Sequence, residues 1–222
     1  MDLKTLESRQ VKGYMPQDEA RRLYALAKEA CHLGPCLEIG SYCGCSAAYL
    51  GLACQEAGGI LFSIDHHGGS EEQQPGQEYF DPDLLDSETG KINTLPIFLK
   101  VIADVGLEGT VIPIVGRSVD VARNWRSPLS LVFIDGGHTF EAAFLDYSSW
   151  SPHLLPGGFL IIHDIFSDPA QGGRAPYCIY QMALASGLYT EELMIHSLGV
   201  LRRAPIGSIP EIALHKWQEL GA

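Results

Sequence analysis

The chain has 222 residues, 46% of them hydrophobic and 19% charged, with 24 glycines, 13 prolines and a formal net charge of −12. A chain of that length suits one domain that buries enough apolar surface to need no disulfide or metal staple. The composition excludes a disordered tail and a coiled coil, and the acidity excludes a phosphate-dominated nucleic-acid partner and an anionic membrane surface.

No apolar run is long enough to span a bilayer. The N-terminal MDLKTLESRQVKGYM mixes charged and apolar residues and lacks the apolar core of a signal peptide. A cytoplasmic location is therefore expected, with the six cysteines reduced. Five of them, Cys31, Cys36, Cys43, Cys45 and Cys54, crowd into a short stretch without the paired spacing of zinc ligands. They read as small buried hydrophobes.

The first strong helix signal follows Pro16, with Asp18 and Glu19 in the first turn, where the helix dipole favours negative charge. Leu23, Leu26, Ala27 and Ala30 follow at helical spacing, and Gly34-Pro35 ends the run. CLEIG (36–40) is a short apolar strand ending in glycine, and SAAYLGLACQEA (46–57) is helical up to Gly58-Gly59. ILFSID (60–65) is a buried strand ending in a carboxylate. Residues 66–90 are irregular and polar. A helix is expected over roughly 91–105, then a strand at TVIPIV (110–115) and a short helix at SVDVARNW (118–125).

LSLVFID (129–135) is another strand ending in acid. Thr139 caps the next helix, whose Phe140, Phe144 and Tyr147 share one face. Pro156-Gly157-Gly158 turns the chain into FLIIHD (159–164), a third strand ending in acid. A helix near 175–186 leads to LYTEELMIHS and LGVLRR, an antiparallel hairpin. The alternation predicts an α/β fold, a Rossmann-like doubly wound sheet of about seven strands, parallel except for the C-terminal hairpin. Ligands in such sheets sit beyond the carboxyl ends of the strands. Glu38, Asp65, Asp135, His163 and Asp164 all fall at or beside those ends.

Gly40 and Gly44 stand in a G-x-x-x-G turn between a strand and a helix. A dinucleotide site needs a middle glycine so that the backbone can approach a pyrophosphate. Here Ser41-Tyr42-Cys43 fill that space, so a nucleoside without phosphates fits better. Glu38 before the turn suits a cationic or amine-bearing ligand; an ordinary turn with a local salt bridge is the competing account.

LEIGSYCGCSAAYL resembles motif I of class I S-adenosylmethionine (SAM) methyltransferases, with the acid-x-glycine start at Glu38-Ile39-Gly40. It is most similar to the E-I-G-x-[YF]-x-G-x-S form of the catechol and caffeoyl-CoA type of O-methyltransferase. The stretch from LSLVFIDGGH through LLPGGFLIIHD resembles bacterial antibiotic and sugar O-methyltransferases and cephalosporin-hydroxylase-like proteins. The resemblance covers 36–203, and the hairpin matches the family's sixth and seventh strands. It implies that SAM is held by Glu38, Gly40, Ser41, Gly44, Ser46, Asp65, His66, Gly116, Ser118 and Asp135. Asp65 would meet the ribose hydroxyls, and Gly116-Arg117-Ser118 the adenine.

In metal-dependent members an aspartate and two adjacent ligands hold Mg²⁺, which implies Asp135, His163 and Asp164 as metal ligands here. A histidine in place of the usual acid or amide shifts preference toward Mn²⁺, Fe²⁺ or Zn²⁺. Without a metal, His138 or His163 is the candidate general base. A helix N-terminus beside His138 would keep it neutral and proton-accepting. Asp135, His138 and His163 are thus the catalytic candidates. His66-His67 with Glu71, Glu72 and Glu78 form a second cluster, either a metal or substrate site or, more simply, a solvated acidic loop.

The function expected is SAM-dependent methyl transfer to a small-molecule acceptor, most simply a hydroxyl oxygen. The rivals are an NAD-linked oxidoreductase and a metal-dependent or non-catalytic SAM-binding module on the same fold. One domain is expected over 1–222, with a helical cap over 1–35, an acidic insertion or lid over 66–90 and a C-terminal helix over 204–222. Ile206, Ile209, Ile212 and Trp217 of that helix suggest a homodimer contact.

Overall fold

The computed structural model describes residues 1–168 and 170–205. The helix expected over 204–222 falls, beyond Pro205, on residues outside the described ones, as does the homodimer contact expected of Ile206, Ile209, Ile212 and Trp217. Among the described residues seven strands form one sheet: β1 (Cys36–Ile39), β2 (Leu61–Asp65), β3 (Val111–Val115), β4 (Leu129–Ile134), β5 (Leu154–Ile162), β6 (Tyr189–Ile195) and β7 (Leu198–Arg203). Their order is β3-β2-β1-β4-β5-β7-β6, with β7 antiparallel to both β5 and β6. Among the described residues seven α-helices accompany them: α1 (Leu3–Glu7), α2 (Gln17–Ala30), α3 (Cys45–Ala57), α4 (Leu95–Asp104), α5 (Ser118–Ala122), α6 (Phe140–Trp150) and α7 (Ala175–Ala185).

The central strands β1 and β4 are buried along their whole length, as parallel strands must be when helices cover both faces. Alternate residues of β4 serve two separate cores. Leu131 and Phe133 pack with Leu23 and Leu26 of α2 and Leu50 of α3, whereas Val132 and Ile134 pack with Tyr147 and Trp150 of α6 and Ile179 of α7. The apolar spacing of α2 is met in full: Leu23, Leu26, Ala27 and Ala30 are all buried.

Three details differ from the sequence expectation. Pro156-Gly157-Gly158 lies inside β5, where Leu129 pairs with Leu154 but Leu131 pairs with Phe159; the extra residues form a bulge within the strand. The helix expected from residue 91 starts at Leu95, because Leu85 and Ile92 form an antiparallel bridge and the Thr94 amide donates to the His67 carbonyl. The face shared by Phe140, Phe144 and Tyr147 is split. Tyr147 enters the core, while the two phenylalanines stack on each other at 6.0 Å and remain exposed.

The acidic segment after β2 contains two short 3₁₀ turns, Glu71–Gln73 and Pro82–Leu84. Leu84 and Ile92 bury themselves against Cys43, and Asp81 pairs with Lys12. Ser70 and Gln73 close a reciprocal capping box, and the Gln74 amide donates to three successive carbonyls from Gly68 to Ser70. The segment is thereby tied at several points along its length.

Candidate functional site

Strand order reverses direction between β1 and β4, and their carboxyl ends open a cleft there. Gly40 makes this junction tight. Its φ is +88°, and a Cβ placed on it would lie 2.1 Å from the carbonyl oxygen of Asp135. The turn after β1 and the turn after β4 thus touch through backbone alone. Above them is a cavity of about 770 Å³, within the range of small-molecule sites.

One half of the cavity is built on β1, β2 and β3. The Asp65 carboxylate accepts from the Ser41 and Tyr42 amides at 2.9 and 2.8 Å, and from the His67 amide at 2.7 Å. A carboxylate offers about four acceptor positions, so one remains for a ligand. Gly40, Ser41, Ser46, Asp65, His66, Gly116 and Ser118 line this half. Ser118 donates to the buried Asp146, which also lines the wall and whose pKa burial raises to about 6.

Glu38 and Gly44 are not on the wall. Gly44, with φ +94°, starts α3 and faces Phe98 and Val101. Glu38 is completely buried behind the turn, accepting from Ser46 Oγ and from Ser63 Oγ at 2.6 Å. It is a pin beneath the glycine turn rather than a contact for a cationic ligand. Burial pushes its pKa from 4.5 up to about 8. Between those values the native state keeps a proton that the unfolded chain has lost, so stability falls as pH rises through this window. The difference between the parent and Glu38→Gln is accordingly expected to change by about 1.4 kcal/mol per pH unit across it. Denaturant unfolding at several pH values checks this; a constant difference would refute the burial of a proton.

The other half is the rim of β4 and β5. His163 is 5% exposed and held at both nitrogens: Nδ1 lies 3.0 Å from Asp135 Oδ1, and Nε2 lies 2.8 Å from Glu19 Oε2. Asp164 Oδ2 is 3.5 Å from the same Nδ1. Burial opposes a charge on this imidazole, but the surrounding carboxylates outweigh it and hold the pKa far above the ordinary value. Glu19 is itself fully buried, and Ser197 donates to it through both its amide and its hydroxyl. Burial alone would raise Glu19; the donors from His163 and Ser197 keep it below its ordinary value.

His138 reverses the sequence expectation. Its Nε2 is 2.9 Å from Asp164 Oδ2 and its Nδ1 3.0 Å from Glu72 Oε2. These ion pairs, Asp164 foremost, raise its pKa to about 9 against the cost of burial. The ring is a protonated bridge near neutral pH, not a neutral acceptor. Its two carboxylate contacts outweigh the dipole of α6, whose capping residue Thr139 satisfies the helix amide itself.

The acidic segment belongs to this site. Glu71, Glu72, Gln77, Glu78 and Tyr79 line the cavity, together with Gly13, Tyr14 and Met15 from the N-terminal segment. Sequence reasoning missed three contributors. Glu19 reads in the sequence only as a first-turn helix acid, Gly13–Met15 fall within the expected N-terminal cap, and Asp146 carries no expected role. No local pattern marks any of them, because each is brought in by packing across the sheet.

The donor set fits a divalent cation. Asp135, His163 and Asp164 each offer a ligand atom within 4.8 Å of the others. Carboxylates outnumber imidazoles around this rim even when both rings are charged, so a cation relieves the excess. The Nε2–Glu19 contact matches the usual support of a ligating histidine, in which the second nitrogen donates to a carboxylate and the first faces the metal.

A parallel sheet with an antiparallel final hairpin, a glycine turn after β1 and a cleft above the switch point defines the class I methyltransferase architecture. Residues 37–165 match the family model described as a methyltransferase domain. The chain belongs to that methyltransferase family.

Solved structures agree in fold. The O-methyltransferase TomG of Streptomyces achromogenes, involved in tomaymycin synthesis and solved with SAM, superposes with a TM-score of 0.60 at 14% identity, covering 91% of this chain and 86% of that one. The O-methyltransferase NovP gives 0.65 at 12% identity, with 84% and 80% covered. An O-methyltransferase from Bacillus cereus in complex with SAH gives 0.59 at 14%, with 90% and 88% covered. Among the described residues no helix is long and apolar enough to cross a membrane.

Proposed function

We propose that this methyltransferase moves the methyl group of SAM to a hydroxyl oxygen of a small molecule, with a divalent cation held by Asp135, His163 and Asp164. The observation that carries the reading is a single cavity lined both by the glycine turn with Asp65 and by the carboxylate–imidazole rim. One half suits a nucleoside and the other an ionisable acceptor. SAM, when bound, supplies an electrophilic methyl group on sulfur; the cation, when bound, lowers the pKa of a coordinated hydroxyl.

The chain's own residues position and neutralise. Asp65 uses its remaining acceptor position for the ribose hydroxyls, and Ser118 with Arg117 borders the base. Asp135 belongs to both halves, so it aligns the two ligands for in-line transfer. His163 keeps Nε2–H on Glu19 and presents Nδ1 to the cation. His138, held protonated between Asp164 and Glu72, adds positive charge beside the rim, and the segment carrying Glu71, Glu72 and Glu78 closes the mouth as an acidic lid. That lid favours neutral or cationic acceptors over anionic ones.

The bonding of the glycine turn argues against NAD. The Ser41 and Tyr42 amides, which a pyrophosphate would need, are already given to the Asp65 carboxylate. Calorimetric titration with SAM, SAH and NAD, each with Mg²⁺, Mn²⁺ or chelator, is the test. SAM and SAH are expected to bind and NAD to give no saturable heat. Asp65→Ala is expected to weaken SAM by roughly 10–100-fold, the worth of charge-assisted hydrogen bonds. Saturable NAD binding without SAM binding would overturn the reading.

A further inference from the structure

We propose that Cys31, Cys36 and Cys54 form a three-thiolate site for one soft divalent metal ion of the zinc–cadmium class, at the end of the sheet opposite the cavity. The three residues come from different elements. Cys31 ends α2, Cys36 begins β1 and Cys54 lies in the last turns of α3. Their sulfurs converge: Cys31 Sγ is 3.4 Å from Cys54 Sγ and 3.8 Å from Cys36 Sγ, and all three lie within 4.8 Å of one another.

The spacing has a chemical meaning. Two sulfurs each about 2.3 Å from a tetrahedral ion stand about 3.8 Å apart, close to the separations here. A disulfide would need about 2.05 Å, so these sulfurs sit at coordination distance rather than bonding distance. Thiolate donors select soft ions. Three thiolates around a divalent ion leave a single negative charge, whereas a monovalent ion would leave two at a largely buried position.

The cluster is reached from one side: Cys36 and Cys54 are fully buried, whereas Cys31 is partly exposed. Gly59 covers the cluster closely: a Cβ there would stand 2.7 Å from Cys31 Sγ. Apart from one 3.8 Å contact between Cys36 and Ser130 Oγ, the sulfurs' polar contacts among the described residues are with one another. On binding, three S–H bonds give up their protons to solvent and three sulfur–metal bonds form, with no change of oxidation state. The ion would tie α2, β1 and α3 together about 13 Å along β1 from the glycine turn.

The test is titration of the reduced, chelator-stripped full-length protein with Cd²⁺ in the absence of oxygen. Sulfur-to-metal charge-transfer absorbance is expected to saturate at one equivalent, with a rise in Tm. Oxygen and nitrogen ligands at the Asp135 rim do not produce that band, so an ion bound there does not register. Cys31→Ser changes a partly exposed residue and spares the buried pair; it is expected to weaken binding at least tenfold. Cys178→Ser, distant in α7, is expected to leave the titration unchanged. A missing band at saturating Cd²⁺, an undiminished band in Cys31→Ser, or a disulfide among the three in the native protein would each overturn the site.

Discussion

Glu19→Ala is expected to destabilise the protein by about 3–5 kcal/mol, the cost of leaving one partner of a buried ion pair alone. Glu19 is completely buried, and the imidazole it supports is 5% exposed, so water cannot replace the lost carboxylate. The same substitution strips the Ser197 amide and hydroxyl of their acceptor. Glu19→Gln keeps the volume and part of the bonding, and its main cost is expected elsewhere. An amide that donates to Nε2 forces the proton of a neutral His163 onto Nδ1, the nitrogen facing Asp135 and Asp164. Metal affinity at the rim should then fall roughly 10–100-fold while the fold persists. Urea unfolding of both variants, with Mn²⁺ titration of Glu19→Gln, separates the two effects. An alanine variant as stable as the parent would show that the pair is solvated in solution.

Asp135→Ala is expected to lower kcat roughly 10²–10³-fold, as removal of a group that organises charge in the transition state does. Three features converge on this residue: it meets His163 at 3.0 Å, belongs to the candidate cation cluster and lines the cavity proposed for the cofactor. The division between kcat and cofactor affinity decides which role dominates. A loss confined to kcat, partly recovered by excess Mn²⁺, identifies the rim. A loss confined to SAM affinity assigns Asp135 to the cofactor half, and unchanged kinetics would remove it from the machinery. Chelation of the parent enzyme is expected to resemble the variant, because both withdraw positive charge from the acceptor oxygen.

The two halves of the site differed in how visible they were beforehand. The glycine turn and Asp65 were legible because a strand, a tight turn and a helix are contiguous, and local sequence dictates all three. The rim was half legible. Asp135 and His163-Asp164 end hydrophobic runs, so their position beyond two strands followed from periodicity. Their charge states did not. The dipole argument made His138 neutral, whereas Glu72, 66 residues earlier in sequence, and Asp164 make it a cation.

Glu19 shows the same limit from the other side. Its place in the first turn of α2 is a favourable position for any acid, and 144 residues separate it from His163. Only the packing of α2 across β4 and β5 turns a helix-capping preference into a buried partner for an imidazole. The cysteines behave alike: their spacing carries no ligand pattern, yet three different elements deliver three sulfurs to one point.

By itself the sequence determined the order and kind of the elements, the parallel sheet with its reversed hairpin, and the carboxyl-end location of the acids. Those follow from periodicity and turn chemistry, which act over a few residues. Tertiary structure alone decided which carboxylate faces which imidazole, which acid loses its water and keeps a proton, and that the acidic segment walls the cavity. Those outcomes depend on desolvation and on charges brought together from distant parts of the chain, and both exist only once the two cores have closed on the sheet.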